Sequence, residues 1–122
     1  MKIDTPYPID MIREIEKKYP LTAKAFKALQ HDNFQLFSAK QLSYGPSNIA
    51  MGTTLETEED RRLALVGLTI RINDKVQRLL NLVVRNNKNT IQDESIVDTF
   101  KDLAIYGVIA QLVQDNSDSW GK

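Results

Sequence analysis

The 122-residue chain has no cysteine, which excludes disulfides and thiolate metal sites. It has one histidine, His31, which excludes a His-rich zinc cluster and leaves little room for a His-based triad. It has no excess charge, since sixteen Lys and Arg balance sixteen Asp and Glu. Nothing overall therefore points to duplex nucleic acid or an anionic membrane, and any charge-driven binding must be local. No apolar run approaches the length of a membrane span. Met1-Lys2-Ile3-Asp4 does not read as a signal peptide, so a cytoplasmic location is expected. There is no internal repeat, no low-complexity segment, no Gly-rich phosphate loop and no nucleophile with a base close in sequence. Residues 1–122 form one domain with enough material for a core.

What is present is helical periodicity. Ile9, Ile12 and Ile15 predict a helix after Pro8, with Asp10 and Glu14 at its positive end. Pro20 interrupts it. A second helix is predicted over about residues 21–42, with Asp32-Asn33 as a weak point. Ala25, Phe26, Leu29, Phe34, Phe37 and Ala39 are its expected buried residues. Residues 43–52 carry Gly45-Pro46 and Gly52 and read as an irregular loop, either a binding loop or an ordinary connection. Thr57, followed by Glu58, Glu59 and Asp60, is a helix-start signal. That helix should run to about Asn86, roughly 43 Å. Leu65, Leu68, Ile72, Val76, Leu79 and Val83 mark its core face. Leu63, Val66, Ile70 and Leu80 spread apolar surface further, as in a central helix. The spread at Leu63, Ile70 and Leu80 also predicts a homo-oligomer. A last helix is predicted from Asp93–Ser95 to Gln114, with Ile96, Phe100, Leu103, Ala104 and Gly107 facing one way. Gly107 suggests close packing there. Residues 115–122 look frayed, with Trp120 available to dock on the body or on a second subunit. No segment alternates with period two. The expected fold is all-α and compact, with two long central antiparallel helices over 58–86 and 94–114, because short helix connections favour antiparallel neighbours.

Two of these helices carry polar stripes. Arg71, Asp74, Arg78, Asn81 and Arg85 recur every three or four residues, as do Glu94, Asp98 and Asp102. The three acids fall within about 80° on a helical wheel. Ile105, Ile109 and Leu112 continue their sector, so the acids should border a cleft. Clustered carboxylates repel unless cations neutralise them. Arginine forks bind phosphate, and carboxylates bind Mg²⁺ or Mn²⁺. The pattern therefore suits a phosphorylated ligand held with a divalent ion. Asp74, Glu94, Asp98 and Asp102 are the candidate metal ligands, with Asp98 and Glu94 as the catalytic pair. Arg71, Lys75 and Arg78 are the candidate phosphate contacts, with Tyr44 or Lys40 closing over the ligand. The competing reading is structural, in which the arginines pair with the acids of the next helix. His31 reads as a surface or partly buried helix residue, and Tyr106 as core or rim.

Three strings carry a family resemblance. They are Phe37-Ser38-Ala39-Lys40-Gln41 with Tyr44-Gly45; Ile70-Arg71-Ile72-Asn73-Asp74-Lys75 with Arg78-Leu79 and Asn81-Leu82; and Glu94-Ser95 with Asp98-Thr99, Asp102-Leu103-Ala104 and Tyr106. Over about residues 34–112 their order and spacing resemble the phage-associated "nucleotide modification associated domain 1" proteins. The resemblance implies a phage or prophage origin, action in the host cytoplasm and a role in nucleotide metabolism. The chain is also distantly similar to the all-α nucleoside triphosphate pyrophosphohydrolases. Those enzymes hold Mg²⁺ with acids on facing helices, as E-x-x-E and E-x-x-D. Here the late acids read E-x-x-x-D-x-x-x-D, and Glu56-x-x-Glu59 falls at a helix start.

Three functions follow as expectations: a Mg²⁺-dependent nucleotide phosphohydrolase, a non-catalytic protein that sequesters a host signalling nucleotide or cyclic nucleotide, and an oligomeric interaction protein whose stripes are interfacial.

Overall fold

A computed structural model describes Tyr7 and residues 10–122. The expectations for Met1–Asp4 and Ile9 lie outside the described residues. The described elements are helices α1 (Asp10–Lys18), α2 (Pro20–Tyr44), α3 (Ser47–Ala50), α4 (Glu58–Leu79), a π turn (Leu80–Val84), α5 (Ile96–Asp115) and a 3-10 turn (Ser117–Ser119). Among the described residues there is no strand, so the all-α expectation holds. None of these helices is long and apolar enough to cross a membrane.

Local chemistry explains the boundaries. Pro20 sits at the first position of α2, where its missing N–H costs nothing. Asp32-Asn33 does not split α2, which runs 25 residues to a C-cap at Gly45 with φ +76. Pro46 follows and cannot continue the helix. The expected loop thus contains one helical turn, α3. Thr57 caps α4 as expected, its Oγ1 accepting from Asp60 N at 3.0 Å. The helical run then ends through the π turn, earlier than Asn86, and Asn86 adopts φ +55. Asparagine tolerates this left-handed conformation better than most residues. Ser95 caps α5.

The core is small. Ile49 and Ala50 of α3, Leu55, Ala64 and Leu68 of α4, and Ile105, Ile109 and Val113 of α5 form one buried cluster. Leu55 holds φ +60, a strained value for leucine, while 1% exposed. Arg61 steadies this segment by donating from Nη1 to the carbonyls of Leu55 (3.2 Å) and Glu56 (3.1 Å). α4 and α5 are antiparallel, as expected: Lys75 meets Asp102, and three residues further along α4 Arg78 meets Thr99.

Several burial expectations are corrected. Ala25, Phe26, Leu29, Phe34 and Ala39 are exposed, and Ala23 is the one buried residue of α2. Most of the apolar face of α2 is left uncovered by the described residues. On α4, Val76 is exposed, as is Val83 in the π turn. On α5 the buried residues are Thr99, Ile105, Ile109 and Val113, whereas Phe100 and Ala104 face outward. Gly107 also faces open space, with nothing within 4 Å of a Cβ built on it. The C-terminal tail is ordered where fraying was expected. Trp120 docks on the body, its Nε1 donating to Pro46 O at 2.9 Å.

Candidate functional site

Three structural facts build one cleft. α2 ends beside α5, so Lys40 and Tyr44 overhang it. The antiparallel register of α4 sets Arg71, Lys75 and Arg78 along its floor. The residue 86–95 connection returns Glu94 to the same side. One lobe, of about 100 Å³, is lined by Phe37, Lys40, Tyr44, Asn48, Arg71, Asp102 and Tyr106 among others. A second, of about 420 Å³, is lined by Arg71, Asp74, Lys75, Arg78, Ile91, Glu94 and Tyr106. Arg71 and Tyr106 line both, so the lobes are neighbours.

Lys75 is the electrostatic centre. Its Nζ lies 2.7 Å from Glu94 Oε1 and 3.0 Å from Asp102 Oδ2. The hydrogen bond to Glu94 is the main reason its pKa is raised above the usual 10.5. Burial opposes the shift, and the bond and charge of Asp102 add to it. Lys40 Nζ meets the other oxygen of Asp102 at 3.2 Å.

Arg78 is a tether. Its Nε donates to Thr99 Oγ1 at 3.1 Å, and its Nη2 donates to Asn89 Oδ1 at 3.0 Å and to Glu94 O at 2.6 Å. Asn89 Nδ2 donates to the same carbonyl at 3.0 Å. One guanidinium thus fixes the interhelix connection to the buried Thr99. Arg71 and Asp74 are different. Neither side chain has a hydrogen-bond or ion-pair partner among the described residues, and both line the larger lobe.

Asp98 stands apart from its two stripe neighbours. It forms a capping box: Ser95 Oγ accepts from Asp98 N at 3.1 Å, and Asp98 Oδ2 accepts from Ser95 N and Ser95 Oγ, each at 2.9 Å. The backbone bond from Ser95 is the main reason its pKa is lowered. It lines neither lobe. The cleft therefore gathers Lys40, Tyr44, Arg71, Asp74, Lys75, Arg78, Glu94 and Asp102, and leaves Asp98 at the helix start.

The donor set bears on metal. Carboxylate oxygens suit Mg²⁺ by type. Glu94 and Asp102 already hold ammonium groups, and no three ligating acids or histidines come together among the described residues. Four cations (Lys40, Arg71, Lys75, Arg78) face three carboxylates (Asp74, Glu94, Asp102). The excess is one positive charge, so the cleft is prepared for an anion before a cation.

Sequence reasoning assigned no role to two participants, Asn89 and Thr99. Asn89 lies in the connection between α4 and α5, where no periodicity points to it. Thr99 entered only within a family string, and the 78-to-99 pairing that engages it needs the register. Tyr106, expected at core or rim, is half-buried and lines both lobes. Comparison with protein-family models, with curated proteins and with solved structures finds no match.

Proposed function

We propose that this cleft binds a nucleotide and acts as a phosphohydrolase on it when Mg²⁺ accompanies the phosphates. One observation carries the reading: a guanidinium, Arg71, and a carboxylate, Asp74, neither with a partner among the described residues, in a lobe that also holds Lys75. An arginine with no described partner, set in a lobe beside Lys75, fits an anion supplied from outside. Tyr44 and Tyr106 offer rings on which a base can stack. The resemblance to phage-associated nucleotide-modification proteins points the same way.

The excess positive charge disfavours a bare divalent ion. Incoming phosphates reverse the local sign and recruit one. Asp74, with Glu94 beside it in the lobe, would hold the ion, which supplies Lewis acidity at the phosphoryl group. Arg71 and Lys75 orient the phosphates and offset their charge. A second reading, sequestration without turnover, is favoured by the ammonium contacts of Glu94 and Asp102, which leave Asp74 as the cleft carboxylate without a partner among the described residues.

Thermal-shift titration with nucleotides and cyclic dinucleotides, with and without Mg²⁺, tests both readings when followed by product analysis. We expect no shift with Mg²⁺ alone, a shift with nucleotide and a larger one with both. Asp74→Asn should abolish the increment due to Mg²⁺. Binding without product selects sequestration. No shift with any nucleotide would remove the nucleotide reading altogether.

A further inference from the structure

The molecule exposes more surface than a folded monomer of its size. A monomer of 13.9 kDa is expected to expose about 6,700 Å², whereas this chain exposes 9486 Å². Subtracting the most that residues 1–9 could expose, about 1,500 Å², leaves about 8,000 Å² against about 6,300 Å² expected of the remaining mass, an excess of roughly 1,700 Å². Large obligate interfaces bury about 1,000–2,500 Å² per partner, so the excess has the size of one such interface.

The excess has a location. α1 buries nothing, and its Met11, Ile12 and Ile15 are about half exposed. Phe26 and Leu29 continue that apolar surface along the first half of α2. The two helices form an arm held by local contacts such as the Lys27–Glu16 pair at 3.1 Å. Beside the arm lies a groove of about 420 Å³ between α2 and α5, with Phe34, Phe37, Ala104, Val108 and Leu112 on its walls. Arm and groove are an apolar ridge and an apolar channel on one chain.

We infer that this groove is occupied by the α1–α2 arm of a second copy of the chain, giving a two-fold dimer with exchanged arms. A two-fold interface needs a self-complementary surface, which ridge and groove together supply. Zero net charge leaves no long-range repulsion between copies. The polar side of α1 mixes Asp10, Glu14 and Glu16 with Arg13, Lys17 and Lys18, which does not suit an anionic lipid surface. Phe37, Ile105 and Ile109 line both the groove and the candidate cleft, so the partner packs against the back of the nucleotide site. The dimer itself does not depend on the functional reading.

Light scattering at micromolar concentration should give twice 13.9 kDa. Val108→Glu places a charge in the groove and should raise the dimer dissociation constant at least about 100-fold. Its circular dichroism should stay helical, because Val108 is 52% exposed in the single chain. Ile70→Glu, on the outer side of α4, should leave the dimer intact. A wild-type monomer, or a dimer that survives V108E, overturns the proposal. The cysteine-free chain allows a second measurement. Ile12→Cys protein mixed with Val108→Cys protein should form a disulfide-linked dimer on mild oxidation, and Ile12→Cys with Thr69→Cys should not. The reverse pattern would place the arm elsewhere.

Discussion

Arg71 and Arg78 lie two turns apart on one helix and do opposite things. Arg78 spends its donors on Thr99, Asn89 and the Glu94 carbonyl, and so builds the wall of the cleft. Arg71 has no partner among the described residues and faces the space that the wall encloses. The same residue type is structural where the chain returns past it and available where the chain does not. The acidic stripe divides likewise. Asp98 completes a helix cap, while Glu94 and Asp102 share Lys75.

The contrast can be broken most forcefully at Arg78. Arg78→Ala removes three hydrogen bonds from a charged donor and should destabilise by about 2–4 kcal/mol, visible in urea unfolding. A variant with wild-type stability and lost ligand binding would reverse its assignment. Arg71→Ala should do the converse. Nucleotide affinity should fall about 10- to 100-fold by calorimetry, with the melting temperature unchanged. Stability loss without affinity loss would make both arginines structural.

Lys75→Met leaves Glu94 and Asp102 without their shared ammonium. The group is partly exposed, so screening limits the cost to about 1–2 kcal/mol. Its pH dependence is diagnostic. The folded pKa is raised, so the stabilisation is complete below pH 10.5 and is lost as pH rises through the folded value. The melting difference between wild type and variant should be smaller at pH 11 than at pH 9. A constant difference would mean that packing, not charge, is lost.

Ser95→Ala should cost about 1 kcal/mol through the lost cap. Asp98→Asn should have the smallest effect, since the amide oxygen still accepts from Ser95 N. The folded pKa of Asp98 is lowered, so its ionic contribution is present above 3.8 and disappears as pH falls through the folded value. The difference between variant and wild type should be smaller at pH 2 than at pH 6. If D98N instead abolished turnover with the melting temperature intact, Asp98 would belong to the chemistry and not to the cap.

Much of the secondary structure was legible because its signals are local. The Thr57 and Ser95 caps, Pro20 and the 3.6-residue periods act within one turn of helix, and they survive whatever the helices pack against. Most cleft residues were legible for the same reason, since charges at three- and four-residue spacing share a helix side before any fold exists. Which charges are consumed and which remain was not legible. Arg78 is absorbed because antiparallel packing sets it opposite Thr99, and Arg71 is spared because no described residue is brought to it. Burial failed on α2 for a related reason. The apolar residues of Phe26 and Leu29 type announce a buried face, but nothing among the described residues covers them. Periodicity alone determined the helices and the composition of their faces. Only tertiary structure decided which faces meet, because burial and ion pairing are properties of two surfaces and a sequence stripe describes one.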